Sequence, residues 1–207
     1  MPYFPLFVSL AGRDVLIVGG GAVALRKARS LMPFGCRVTA VAAEFCPGWE
    51  ALNVHRHTAV LTGEEPELWQ KPWALVIAAS GDRALNHQIS GGARSRNIPV
   101  NTADAAEECT FYFPALVRRG EMVAGLCGGG EAPFYTKKLR RELEQAIPAE
   151  DGRVLDALKD QRPAARTGGE EAAGRLIDTL RDALAQNPGL TEKQLQALCD
   201  AFWRGEQ

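Results

Sequence analysis

The 207-residue chain carries 24 basic and 25 acidic side chains, so its formal net charge is −1 at pH 7. This balance gives no general attraction to nucleic acid or to an anionic membrane surface, and the longest apolar runs are too short to span a bilayer. Five cysteines without a CxxC pair and only three histidines argue against a disulfide framework and a structural zinc site, and favour a reducing, cytoplasmic location.

Strands and helices alternate over the first half of the chain. Residues 14–18 form a continuous apolar strand, which is typical of a parallel sheet covered on both faces. A helix is predicted over residues 22–34, where Pro33 and Gly35 end it. Further strands are predicted over residues 37–42, 57–61, 73–79 and 98–101, with a helix over 83–94. The alternation predicts an α/β fold with a Rossmann-type, doubly wound parallel sheet over residues 1–113.

The pattern changes after residue 113. Two strand-like runs, 110–117 and 122–126, predict a hairpin, and an amphipathic helix follows over 134–146. Beyond Pro148, residues 162–174 are interpreted as a flexible linker. Thr191 and Gln194 are spaced as a capping box that opens a last helix. We therefore predict a small α+β region over 114–147 and a helical C-terminal segment over 148–207.

The motif Gly19-x-Gly21-x-x-Ala24 stands between the first strand and the first helix. Gly19 permits a tight turn, Gly21 has no Cβ to obstruct a pyrophosphate, and Ala24 lets the helix pack close to the strand. The helix N-terminus supplies N–H donors and a partial positive charge. A glycine turn without a ligand is the alternative, but the position in the first βα unit favours dinucleotide binding.

The end of the second strand is where an acidic residue would bind the ribose of NAD. Glu44 lies slightly beyond that strand, and no arginine stands where the 2′-phosphate of NADP would require one. We therefore expect NAD as the cofactor. The residues assigned to cofactor binding are Gly19, Gly21, Ala22, Val23, Ala43 and Glu44.

Four sequence blocks carry a family resemblance. They are Pro5-Leu-Phe-Val-Ser-Leu10, Val18-Gly-Gly-Gly-Ala-Val-Ala24 with Arg26-Lys27-Ala28, Ala78-Ala-Ser-Gly-Asp82 with Asn86, and Val100-Asn-Thr-Ala-Asp104 with Phe111-x-x-Pro114. Together they resemble the precorrin-2 dehydrogenase family, which also forms the N-terminal part of siroheme synthases. The resemblance implies NAD-dependent oxidation of precorrin-2 to sirohydrochlorin, in siroheme or cobalamin synthesis. It also implies a homodimer with residues 114–147 as the dimerisation region and, in some relatives, insertion of ferrous iron.

Oxidation of a reduced tetrapyrrole moves a hydride to the nicotinamide and releases a proton from the macrocycle. Asp104 follows the fifth strand at the edge where ligands bind, so it is the candidate base. The resemblance implies a part for this aspartate in dehydrogenation and in chelation. A turn aspartate that accepts backbone N–H groups is the alternative interpretation. Asn101, at the same edge, is either a substrate contact or a turn residue.

Either Cys127 or Gly128 stands where relatives usually have a serine before a Gly-Gly pair, because this chain has one residue more than the usual spacing. Cys127 is a candidate substrate contact, although a small buried hydrophobic residue at a strand end is the favoured interpretation. Basic side chains of the hairpin and its helix suit either a carboxylate-rich substrate or a solvated helix face. No dedicated metal site is predicted. Asp104 would hold ferrous iron only transiently, so ferrochelatase activity is left open.

The leading interpretation is thus an NAD-dependent precorrin-2 dehydrogenase with a tetrapyrrole substrate and no nucleic-acid or membrane partner. The alternative is an NAD(H)-sensing Rossmann module without catalysis. Such a sensor needs the phosphate cradle but has no use for Asp104. A dehydrogenase for an unrelated small substrate is disfavoured, because the sequence shows no catalytic histidine or Lys–Tyr pair.

Overall fold

The computed structural model describes residues 4–63, 65–129 and 132–205, and the chain divides into two compact units between Phe113 and Pro114. The first unit contains one parallel sheet of five strands. They are β1 (Asp14–Val18), β2 (Arg37–Ala42), β3 (His55–Thr58), β4 (Leu75–Ala78) and β5 (Val100–Thr102). Their spatial order is β3-β2-β1-β4-β5. This is the strand order of a Rossmann fold, so the predicted fold class is confirmed.

Two helices, α1 (Ala22–Leu31) and α2 (Arg83–Arg94), cover opposite faces of the sheet. Successive residues of β1 enter different cores because side chains alternate along a strand. Val15 and Ile17 pack in the core that includes α1, whereas Leu16 and Val18 pack in the core that includes α2. The central strands are therefore buried on both faces, which explains their unbroken apolar sequences.

Several element boundaries differ from the sequence prediction. The strands predicted over 73–79, 98–101 and 110–117 are Leu75–Ala78, Val100–Thr102 and Ala115–Arg119, and the first helix and the third strand differ as well. The first helix ends at Leu31, because a 3-10 turn over Met32–Phe34 follows it and Gly35 closes that turn with φ 69°. The third strand is His55–Thr58 instead of 57–61, and all four of its residues are exposed. It is an edge strand with neither face covered, so the apolar pattern on which the prediction relied is absent.

The second unit begins with an antiparallel hairpin of β6 (Ala115–Arg119) and β7 (Met122–Leu126). Four helices follow, α3 (Pro133–Ala146), α4 (Asp151–Ala157), α5 (Arg162–Gln186) and α6 (Glu192–Arg204). The last three share a core that contains Leu176, Leu180 and Leu195. The capping box of Thr191 and Gln194 is present at the start of α6, as predicted.

The predicted linker over residues 162–174 is wrong, because these residues belong to α5. A stripe of leucines that continues along α5 packs it into the helical core, and this packing outweighs the weak helix propensity of the segment. Gly169 interrupts the helix with φ 82° and produces a kink. None of the helices in the described part of the chain is long and apolar enough to cross a membrane.

Candidate active site

The glycine loop between β1 and α1 contains two glycines that the protein itself requires. Gly19 has φ 129°, and a Cβ on it would lie 2.2 Å from the carbonyl oxygen of Ala79. A Cβ on Gly20 would lie 1.9 Å from the carbonyl oxygen of Glu44. Since both obstacles are backbone atoms, no side-chain adjustment would relieve the overlap. The loop is therefore wedged between the ends of β2 and β4.

Gly20 has a second constraint that sequence reasoning missed. Its carbonyl oxygen accepts hydrogen bonds from the indole Nε1–H of Trp49 at 2.8 Å and from the backbone N–H of Cys46 at 2.9 Å. Trp49 is fully buried, so it fixes the loop from beneath. The two residues are 29 positions apart, and no local pattern connects them.

Gly21 differs from Gly19 and Gly20, because no contact within the protein requires a glycine at this position. A Cβ on Gly21 would meet nothing within 4 Å, and its φ of −78° is open to any residue. It is the N-cap of α1, whose first turn has neither a side-chain cap nor an acidic residue. Backbone N–H groups of the first helical turn lack intrahelical partners, and Ala22 and Val23 are exposed there. Open space beside uncapped N–H donors fits a pyrophosphate group.

A cleft of about 340 Å³ opens above this loop. Its walls come from the glycine loop, the end of β2, the segment after β3 and the loop after β4. The lining includes the predicted cofactor residues Gly19, Gly21, Ala43 and Glu44, together with Gly20, Val60 and residues 80–82. Ala22 and Val23 are not part of the lining, although they begin the helix that faces it. Glu44 is exposed, so its carboxylate is accessible to hydroxyl donors.

Asp104 lies at the same edge of the sheet as the glycine loop. The backbone N–H of Ala79 donates to Val18 at 2.8 Å, and that of Ala103 donates to Ala78 at 2.9 Å. These bonds align the exits of β1, β4 and β5. Asp104 is exposed. Within the described residues, its one hydrogen-bond partner is the Asn86 side chain, at 3.2 Å from Oδ1, so the turn interpretation with backbone N–H partners is not what the structure shows.

Asn86 joins the cleft to Asp104. Its side chain is buried, with 1% of the residue exposed. Its Oδ1 accepts from the backbone N–H and the hydroxyl of Ser80, each at 2.9 Å, and its Nδ2 donates to the Ser80 carbonyl at 3.1 Å. The same Nδ2 donates to Asp104. One buried amide thus holds a loop that lines the cleft and the candidate base, a role that the sequence motif alone did not disclose.

The segment after Asp104 is fastened to α2 and to β5. The Glu108 carboxylate lies 2.6 Å from Nδ1 of His87, and this hydrogen bond lowers the pKa of Glu108. The Sγ of Cys109 accepts from the backbone N–H of Thr102 at 3.2 Å. These contacts restrict the turn that carries Asp104, which favours a fixed position for its carboxylate.

Asn101 lies within β5 and is buried, so it is not a turn residue. Its Oδ1 accepts a hydrogen bond from the Lys27 ammonium, and its Nδ2 donates to the Phe111 carbonyl at 2.9 Å. Lys27 also lies 4.5 Å from the centroid of the Phe113 ring, and burial lowers the pKa of this lysine. Asn101 therefore serves internal contacts, and its contact with a substrate stays a prediction.

Cys127 belongs to the second unit and is exposed. The buried-hydrophobe interpretation is wrong, because the β-ladder ends at Leu126, which pairs with Ala115, and Cys127 already lies in the following loop. Its contact with a substrate stays a prediction. Across the residues that the structure describes, no group of three or more His, Cys, Asp or Glu side chains is arranged to hold a metal ion.

Comparisons with known proteins agree with this geometry. A family model described as "Putative NAD(P)-binding" matches residues 6–115. A siroheme synthase of Pseudomonas paraeruginosa is 40% identical over 154 residues, which are 74% of this chain and 33% of that protein. A siroheme synthase of a Psychrobacter species (strain PRwf-1) is 36% identical over 176 residues, or 84% of this chain and 36% of that protein. The chain thus spans about a third of the length of these relatives.

A solved structure is similar over almost the whole chain. It is described as "SirC, precorrin-2 dehydrogenase" and superposes with a TM-score of 0.64 over 98% of this chain and 100% of that one, at 19% identity. This likeness extends the agreement in fold to the hairpin and the C-terminal helices. The resemblance found in the sequence is confirmed by these matches.

Proposed function

Because the chain belongs to the NAD(P)-binding family whose model it matches, we propose that it is an NAD-dependent dehydrogenase that oxidises precorrin-2 to sirohydrochlorin. The observation that carries this proposal is the pairing of a dinucleotide cleft with an exposed carboxylate, Asp104, through the buried side chain of Asn86. The substrate class comes from the names of the similar proteins, a siroheme synthase and a precorrin-2 dehydrogenase.

Different residues of the cleft bind different parts of the cofactor. Gly21 leaves room for the pyrophosphate, and the N–H groups at the start of α1 donate to it. The Glu44 carboxylate accepts from the ribose hydroxyls, which favours NAD over a nucleotide with a 2′-phosphate. Bound NAD supplies the hydride acceptor for the oxidation.

Asp104 serves as the base in this proposal. Its Oδ1 is held by Asn86, whereas its Oδ2 has no protein partner among the described residues, and the carboxylate is exposed to an incoming macrocycle. It accepts the proton that the substrate releases when the hydride leaves. The amide of Asn86 restricts the position of the carboxylate, so that the proton acceptor is in place before the reaction.

We place the homodimer contact on residues 114–147. Helix α3 has no buried residue in the isolated chain, and Phe134 and Tyr135 are 78% and 52% exposed. An apolar surface of this kind is typical of a contact with another protein surface. Two basic side chains of α3 pair with glutamates one turn further on, Lys138 with Glu142 and Arg140 with Glu144, which supports a solvated face for them. A cytoplasmic location stays a prediction.

The test of the base is anaerobic turnover of precorrin-2 with NAD by Asp104→Asn and by a matched control, Glu107→Gln. Glu107 is an exposed carboxylate three residues away, 3.9 Å from Arg83. Loss of a general base lowers rates by about 10²–10⁴-fold. For Asp104→Asn we expect the turnover rate to fall by at least about 10²-fold while NAD affinity is retained. For Glu107→Gln we expect an unchanged rate. Turnover that survives Asp104→Asn would refute the base assignment.

The same preparation addresses iron insertion. Ferrous ion is added after sirohydrochlorin has formed, and the spectrum is followed for the change that marks the metallated product. A change that depends on the protein and on Asp104 would establish ferrochelatase activity. Insertion at the rate without protein would limit the function to dehydrogenation.

A further inference from the structure

The second unit contains a cavity that the proposed dehydrogenase does not use. It measures about 320 Å³ and lies between the end of α4, both halves of α5 and Trp203 of α6. Its apolar lining includes Leu155, Leu158, Leu176 and Ile177. All of these residues belong to the unit that begins at Pro114, so the cavity is separate in the chain from the dinucleotide cleft.

The kink of α5 shapes this cavity. Gly169 breaks the helix with φ 82°, and Ala165 and Ala173 line the space on either side of the break. A Cβ on Gly168 would lie 2.4 Å from the Trp203 ring, so glycine is needed for the indole to rest against the helix backbone. Consecutive glycines weaken a helix. Here Gly168 and Gly169 have a structural role, because they let the Trp203 ring pack against the helix as one wall of the cavity and leave the space beside the ring unfilled.

One polar side chain of the lining lacks a partner. Gln161 is only 6% exposed, lines the cavity, and its side-chain amide bonds to no other residue in the described ranges. Buried polar groups in proteins are almost always hydrogen-bonded. The unpartnered Gln161 amide beside this cavity therefore favours a ligand that offers it a hydrogen-bond partner.

Two basic side chains lie at the rim of the cavity. Arg162 and Lys159 belong to the lining, and Lys159 is paired with Asp156 at 2.8 Å. Arg162 has no ion pair with any described residue. Gln161 is the N-cap of α5, and the first turn of this helix has neither a side-chain cap nor an acidic residue. The positive end of the helix dipole and the Arg162 guanidinium thus favour an anion at this position.

We propose that this cavity binds a small amphipathic carboxylate. The apolar part of the ligand packs between the leucines and the Trp203 ring, and its carboxylate accepts hydrogen bonds from the Arg162 guanidinium and from the Gln161 amide. A neutral apolar ligand would leave the donors unpaired, and a purely polar anion would gain nothing from the apolar wall. The site is independent of the dehydrogenase proposal, since none of its residues belongs to the Rossmann unit.

The test is calorimetric titration of the full-length protein with octanoate, and with 1-octanol as the uncharged match. The variants are Arg162→Gln, which removes the charge, and Ala173→Phe, which fills the cavity. Arg166→Gln is the matched control, because Arg166 is an exposed arginine of the same helix that does not line the cavity. We expect one saturable octanoate site, at least tenfold weaker binding of 1-octanol, and at least tenfold weaker octanoate binding in the two site variants but not in the control.

Each result decides the proposal. Absence of saturable octanoate binding by the unmodified protein would overturn it, and so would binding that Ala173→Phe leaves unchanged. NAD affinity and thermal unfolding of each variant show that the fold is retained. If Ala173→Phe fails to fold, Ala165→Leu fills the same space from the other side of the kink. Loss of precorrin-2 turnover would leave this proposal unaffected, so the two failures are distinguishable.

Discussion

Replacing Gly21 with alanine distinguishes an effect on the stability of the fold from an effect on cofactor binding. A Cβ at this position meets no protein atom within 4 Å, and the backbone already has a conformation that alanine adopts. The substitution restricts the unfolded chain, which stabilises by about 0.4–1 kcal/mol. Alanine is also a poorer N-cap than glycine, by a comparable amount. We therefore expect the free energy of unfolding to change by less than about 1 kcal/mol.

Cofactor binding should respond quite differently. The new methyl group points into the open space beside the first N–H groups of α1, where the pyrophosphate is proposed to lie. Losing one hydrogen bond to a charged group costs about 1.5–3 kcal/mol. Since 1.4 kcal/mol corresponds to a factor of ten in affinity, we expect the Kd for NAD to rise by about ten- to a hundredfold.

Gly20→Ala is the contrasting variant for this experiment. Its Cβ would lie 1.9 Å from the backbone of Glu44, so the loop must move and both stability and NAD affinity should fall. Urea unfolding and calorimetric titration with NAD measure the two quantities for each variant. Gly21→Ala with the Kd of the unmodified protein would refute the pyrophosphate assignment, and so would Gly21→Ala as unstable as Gly20→Ala.

Three further predictions concern the cleft edge and the segment that carries the base. Glu44→Arg should shift the ratio of NAD to NADP affinity toward NADP by at least tenfold in fluorescence titrations, since the repelling carboxylate is replaced by a phosphate partner. Asn86→Ala should lower kcat for precorrin-2 oxidation, because the Asp104 carboxylate and the Ser80 loop lose the amide that holds them; an unchanged kcat would argue against a positioning role. The pKa of Glu108 is lowered from 4.5 by His87, so its stabilisation is present above the unfolded value and is lost as the pH falls through the lowered folded value. Glu108→Gln should therefore destabilise the protein in urea at neutral pH but not in acid, and equal loss at both would refute the reasoning.

Local patterns were sufficient for the Rossmann unit. The apolar run of β1 and the glycines that follow it are features of adjacent residues, and a strand buried on both faces leaves little ambiguity. The placement of Asp104 also followed from its position directly after a strand. In each case the physical cause of the structure lies within a few residues of the motif.

Local sequence patterns could not predict contacts between residues that lie far apart in the chain. The Trp49 indole holds Gly20 across 29 positions, and Asn86 reaches Asp104 across 18. From the sequence alone, Trp49 and Asn86 cannot be distinguished from residues that only pack in a core or cap a helix. The helix α5 was misjudged for a related reason. Its glycine- and alanine-rich start has weak propensity, and it is helical because the leucines further along pack against α4 and α6.

The most direct measurement is anaerobic mixing of the purified, unmodified protein with precorrin-2 and NAD, while the absorbance of sirohydrochlorin and the fluorescence of NADH are recorded together. We expect both products to form in equal amounts, and neither to form when NAD is omitted. Tight NAD binding without any sirohydrochlorin would contradict the proposed dehydrogenase and would identify the Rossmann unit as an NAD(H)-sensing module.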